Sequence, residues 1–109
     1  MTETEFLERA ERTLDAIEAA VEAVSEELDI EMSRAGNVLT LELANGSKVI
    51  VNSQAPTQQL WVAAKSGGFH YALAKDGTWR DTRDGSELFG ALSKIASGQG
   101  GVPVVLVPR

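Results

Sequence analysis

ETEFLERAERTLDAIEAAVEAVSEEL, residues 3–28, is the stretch on which the fold turns. Phe6, Ala10, Leu14, Ile17, Val21, Val24 and Leu28 recur at steps of three and four, the helical period. At roughly 100° per residue they fall on one stripe. Glu8, Glu11, Asp15, Glu18, Glu22 and Glu26 gather into a second stripe, roughly 125° from the first, and Arg9 and Arg12 lie beyond it. The spacing predicts a helix over 3–28 with one face to bury and a carboxylate ridge beside it.

Like charges three or four residues apart repel by a few tenths of a kcal/mol per pair, and only Arg12, four residues after Glu8, offers local relief. The ridge has two readings: a solvated face, or a surface for cations or a basic partner. Its weight in the whole chain is large. Residues 1–31 hold eleven acids against two arginines, a balance of −9, while residues 32–109 carry +3, for a net −6. Such a field attracts cations and basic surfaces and repels phosphate backbones, which disfavours nucleic acid as a partner.

Outward from the helix the period changes. Residues 29–33 alternate polar and apolar, and Leu39, Leu41 and Leu43 share one face of the run 38–43. Asn45-Gly46 then points to a hairpin with a type I′ turn into 48–52. Beyond Pro56, Leu60 and Val62 alternate with Gln59 and Trp61; Phe69, Tyr71 and Leu73 share a face; Asp76-Gly77 turns the chain towards Trp79. A second helix is predicted over about 86–97, capped by Asp84 or Ser86, with an apolar stripe of Leu88, Phe89, Leu92, Ile95 and Ala96, and stopped by Gly98. The tail, 98–109, holds Val102, Val104, Val105, Leu106 and Val107, and is too apolar to hang free.

One domain over 1–109 follows: helix about 3–28, five or six antiparallel strands over about 29–81, helix about 86–97, tail. The expected architecture is α+β, a two-layer sandwich with both helices on one face of the sheet. The other face then shows Thr40, Ile50, Asn52, Gln59, Trp61 and His70 to water. Trp61 there is either an interface anchor or half of a cross-strand pair with His70.

Composition narrows the chemistry. With no cysteine and one histidine, disulfides, thiolate metal sites and cysteine nucleophiles are absent, and a catalytic set would rest on His70 alone. The glycine pairs lack phosphate-loop spacing. No apolar run approaches a membrane span and no leader pattern opens the chain, so a cytoplasmic protein is expected. What remains is carboxylate chemistry: oxygen ligands suit hard cations, and a helix surface offers shallow, wet, weak sites.

The run from Asn45-Gly46-Ser47-Lys48 through Asn52-Ser53-Gln54-Ala55-Pro56-Thr57-Gln58-Gln59-Leu60-Trp61 to Gly67-Gly68-Phe69-His70-Tyr71 resembles the frataxin family, and within it the bacterial CyaY-type members. The acidic helix before it and Asp84-Gly85-Ser86-Glu87-Leu88-Phe89 after it stand in family order. The resemblance implies an α–β sandwich without enzymatic activity and weak binding of Fe2+ or Fe3+. It also implies an adaptor or regulatory role in iron–sulfur cluster assembly, with docking on the cysteine desulfurase and its scaffold machinery. By position it assigns metal to Glu11, Glu18, Glu22, Glu27, Asp29 and Glu31, with Asp15 and Glu26 joining on helix geometry. Partner contacts fall on Glu18, Glu22, Asn52, Gln54, Gln59 and Trp61. The expected state is a monomer, with a metal-induced oligomer as the alternative state. Ala19, Ala20 and Ala23 thin the acids to a single row. The alternative is a protein-interaction domain using the ridge and the Trp61 face without metal.

Overall fold

The computed structural model describes residues 1–108; Arg109, the last residue of the expected tail, lies outside them. The elements are α1 (Glu3–Ala23), β1 (Ile30–Ala35), β2 (Val38–Leu43), β3 (Lys48–Gln54), β4 (Gln59–Ala64), β5 (Gly67–Leu73), β6 (Trp79–Asp81) and α2 (Leu88–Gly100). The six strands form one antiparallel meander in chain order. Leu39, Leu41, Val49, Val51, Leu60, Val62 and Tyr71 make its buried side, against Phe6, Leu14, Ile17 and Val21 of α1 and Leu88 and Leu92 of α2. This is the expected α+β sandwich.

Thr2 opens α1 with a capping box. Its hydroxyl accepts from the Glu5 N–H, and the Glu5 carboxylate accepts from the Thr2 N–H. The helix stops at Ala23, five residues before the expected end. Its last turn has no lysine or arginine, and Glu22, Glu26 and Glu27 crowd the negative end of the helix dipole. Residues 24–28 therefore leave the helix through tighter turns, with Ser25 N–H donating to Glu22 O and Glu27 N–H to Val24 O. Leu28 is buried all the same, because it packs on α2 where a Cβ at Gly100 would overlap its methyls. Ala20 is buried in the core, so the thinning expected at that position removes no ridge charge.

The hairpin expected at Asn45-Gly46 forms with a different turn. Gly46 alone has positive φ (85°); Gly46 N–H donates to Leu43 O and Leu43 N–H to Ser47 O. That is a three-residue loop ending in a left-handed glycine, and Asp76-Gly77 repeats it with Ala74 and Thr78. A type I′ turn would need positive φ at Asn45 as well; its carboxamide oxygen instead accepts from Ser47 N–H.

The second helix is capped by Glu87, not by Asp84 or Ser86. Its carboxylate accepts from Phe89 N–H at 2.7 Å and Gly90 N–H at 3.1 Å. Asp84 closes the preceding turn on Ser86 N–H instead. The helix also runs through Gly98 to Gly100, and Gly101 ends it at φ 76°. The tail returns as expected, buried at Val104 and Leu106. Two serines hold it to α2: Ser97 Oγ accepts from Val104 N–H and donates to Val104 O, and Ser93 Oγ accepts from Leu106 N–H.

Candidate functional site: an acidic edge divided by one arginine

The ridge acids stand on three pieces of chain. Glu11, Asp15, Glu18 and Glu22 lie on α1, Glu26 and Glu27 in the turn that leaves it, and Asp29 and Glu31 at the start of β1. All are exposed except Glu18, which is half-buried. They do not form one helical stripe. The charge runs down the helix flank, rounds the turn, and reaches the sheet beside the edge strand.

Strand alternation decides where it goes next. In β1, Ile30, Met32 and Arg34 turn towards the helices, and Glu31, Ser33 and Ala35 towards the open face. Glu31 stands directly opposite Glu42 of β2, and Glu42 opposite Lys48 of β3. Asp29, Glu31 and Glu42 line one surface hollow with Leu43 and Ala44. Glu42 was not among the expected ligands, although the alternation of Leu41 and Leu43 already set it outward.

Arg34 is the second residue the sequence reading missed. It occupies an inward strand position, where Ile30 and Met32 put apolar side chains, and so lies under the flank of α1. Its Nη1 donates to Asp15 Oδ1 at 2.9 Å and is 3.5 Å from Glu18 Oε1, while Nη2 is 2.8 Å from Glu11 Oε1. Nε donates to Gly36 O at 3.3 Å. Burial works against the Arg34 charge, but the Asp15 hydrogen bond and the charges of Glu11 and Glu18 outweigh it and raise its pKa above the ordinary arginine value. The upper half of the ridge is thus partly neutralised from inside, three carboxylates sharing one guanidinium. Among the described residues, no lysine or arginine lies within ion-pair distance of Glu22, Glu26, Glu27, Asp29, Glu31 or Glu42.

No group of three or more His, Cys, Asp or Glu converges to hold a metal among the described residues. The donor chemistry fits a hard cation and the geometry does not cage one. Any metal here would be held by one or two carboxylates with water completing its shell.

On the open face, Asn52, Trp61 and His70 stand in one cross-strand row. The Trp61 and His70 rings stack with centroids 4.3 Å apart and 9° between planes. Trp61 Nε1–H donates to Gln59 Oε1 and Gln54 Nε2–H to Asn52 Oδ1. The four expected contact residues are therefore together, half-buried and bonded among themselves. The Gln59 amide nitrogen and the Asn52 amide nitrogen are still available to donate outward. The arrangement is a stiff polar platform with one aromatic step.

Two helices behind a six-stranded meander, with an acidic edge and a polar aromatic face, define the class of fold and surface. The comparisons give it a family. The chain matches the Frataxin-like domain over residues 1–102 and belongs to the frataxin family, which is non-enzymatic. It is 62% identical over 109 residues to the iron-sulfur cluster assembly protein CyaY of Janthinobacterium sp. (strain Marseille), covering 97% of this chain and 96% of that protein. The protein of the same name from Herminiimonas arsenicoxydans is 61% identical, with the same coverage. Among solved structures, the frataxin of Psychromonas ingrahamii superposes with a TM-score of 0.86 at 33% identity, over 98% of this chain and 99% of that one. A trimeric frataxin of the yeast Saccharomyces cerevisiae, complexed with ferrous iron, superposes with a TM-score of 0.74 at 27% identity, over 85% and 86%. No helix among the described residues is long and apolar enough to cross a membrane.

Proposed function

We propose that this chain is a cytoplasmic, iron-binding adaptor of iron–sulfur cluster assembly that docks on the cysteine desulfurase through its acidic edge. The observation that carries the proposal is the run of carboxylates from Glu22 through Glu31 to Glu42, without an ion-pair partner among the described residues. It is joined by 62% identity to a relative named for that assembly process. A field dominated by one sign steers a basic surface and draws in hard cations. Fe2+ or Fe3+ bound to one or two carboxylates and water would exchange quickly, which suits transient holding. Glu11, Asp15 and Glu18 take part less, since Arg34 already occupies them. The Trp61, Gln59, Asn52 and Gln54 platform is the second contact surface, suited to a scaffold protein's backbone and side-chain amides.

The absence of a converging triad among the described residues favours one competing reading, an interaction domain whose edge meets protein and never metal. Anaerobic titration with Fe2+, followed in the amide spectrum, separates the two. The iron-binding reading expects shifts and broadening at residues 22–31 and at Glu42 by millimolar iron. An unperturbed edge, in protein that still binds the desulfurase, leaves the metal-free reading.

A further inference from the structure

We propose that the cavity between α1, the β5–β6 turn and the start of α2 binds a small organic anion, one aromatic ring or short branched chain carrying a carboxylate. The cavity measures about 210 Å3. An apolar cavity of roughly 150 Å3 is enough to take benzene, so one ring with a short acidic arm fits. It lies on the flank of α1 turned away from Glu11 and Glu18, and the proposal is independent of what the acidic edge binds.

Four residues of α1 reach the cavity, Arg9, Arg12, Thr13 and Ala16, at the steps of three and four that share a helix face. Opposite them stand Leu73 at the end of β5, Trp79 of β6 and Phe89 of α2, with Pro108 of the tail alongside. Trp79 and Phe89 are buried while Arg9 and Arg12 are exposed, so the floor is aromatic and the mouth is cationic. The other polar groups are already satisfied. Trp79 Nε1–H donates to Thr13 Oγ1, whose own hydrogen goes to Arg9 O, and the Thr78 hydroxyl donates to Asp76 Oδ1. Glu87 also lines the cavity, but its two carboxylate oxygens accept from Phe89 N–H and Gly90 N–H at the positive end of the α2 dipole. The groups left with hydrogen bonds to give are the two guanidiniums.

Nearby acids leave both arginines unclaimed. Glu8 stands four residues before Arg12 and Glu5 four before Arg9, the order that favours pairing along a helix. Neither pair is within ion-pair distance, and Glu5 is held by Thr2 in the capping box. Among the described residues, no carboxylate pairs with Arg9 or Arg12. Guanidiniums match the planar fork of a carboxylate, and covering the aromatic floor adds the apolar part of the affinity. A neutral ligand gains only the second contribution, and a cation is repelled.

Phenylacetate is the probe, with phenylacetamide as its neutral isostere and acetate as the charge without the ring, each titrated into the isotope-labelled protein. Phenylacetate should shift the Trp79 indole N–H and amides 9–16, 77–79 and 87–89, saturating at millimolar concentration, and leave the Trp61 indole N–H on the open face unmoved. Phenylacetamide should need about tenfold more, the difference between a charge-assisted contact and a neutral one. Acetate should give no saturating shift. In the double variant Arg9→Gln, Arg12→Gln, where only exposed side chains change, phenylacetate should weaken to the level of phenylacetamide, itself unaltered. A Trp79 signal that no probe moves overturns the proposal. Equal affinity for phenylacetate and phenylacetamide, or for phenylacetate and acetate, overturns it too, as does undiminished phenylacetate binding in the double variant or a Trp61 signal that shifts in step with that of Trp79.

Discussion

Exchanging Glu22 and Glu27 together for lysine is expected to weaken binding to the cysteine desulfurase by at least about a hundredfold, with the fold intact. Both side chains are exposed and neither has an ion-pair partner among the described residues, so no internal contact is lost. Each reversal removes an attraction and adds a repulsion against a basic partner. Two such changes of about 1.4 kcal/mol or more each give that hundredfold. Relief of like-charge crowding at the end of α1, where lysine also suits the dipole, should leave thermal stability equal or slightly raised. Calorimetric titration at fixed ionic strength, with an amide spectrum as the check on folding, reads both outcomes. Affinity within threefold of wild type would remove the edge from the docking surface.

The second large effect lies beneath the ridge. Phe6→Ala is expected to cost about 3–5 kcal/mol of folding stability, out of the roughly 5–15 kcal/mol that such domains commonly have. Phe6 is fully buried and meets the Trp79 ring edge to face at 6.1 Å. Trp79 is fixed in turn by its Nε1–H, which donates to Thr13 Oγ1 at 2.8 Å. Removing the phenyl ring opens a cavity between α1 and the far strand of the sheet, at the place where the helix is tied to both. Urea unfolding followed by tryptophan emission measures it, and a loss below about 1 kcal/mol would show that α1 is held by something other than its apolar stripe. The acids themselves would be untouched. A loss of desulfurase affinity in Phe6→Ala would therefore report on the support of the ridge alone.

The architecture was legible because two periods carry it. Steps of three and four from Phe6 to Val21 set the face of α1, and period-two alternation from Leu39 to Tyr71 set the buried side of the sheet. Element ends were not legible. Val24 and Leu28 continue the apolar stripe, so periodicity extends the helix to 28, while the charges of Glu22, Glu26 and Glu27 at its negative end stop it at Ala23. Gly98 reads as a stop, yet the helix continues, because the tail docks on Ser93 and Ser97 and Leu28 needs a glycine at position 100. The Asn45-Gly46 hairpin was found with the wrong turn, since a dipeptide does not fix how many residues the loop takes.

For the site, the residue types were readable and their company was not. Trp61, Asn52 and Gln59 lie on the sheet face where the alternation sets them, while Glu26, expected on the helix stripe, lies in the turn beyond Ala23. Arg34 escaped because it is nineteen positions from Asp15 in sequence, and only the pairing of β1 beneath α1 brings them together. The signal was present all the same: a single arginine in phase with Ile30 and Met32 has to point at the helix side and find a counter-charge there. Glu42 escaped because the hairpin register that puts it opposite Glu31 is not written in either strand alone.

The most direct measurement is the footprint of the cysteine desulfurase on the isotope-labelled protein, read as amide broadening at substoichiometric partner. Signals from residues 22–31 and from Glu42 should fade first, and raising the salt should restore them. A footprint confined to the surface of α2 and the tail, or one that salt leaves unchanged, would contradict a docking edge made of negative charge.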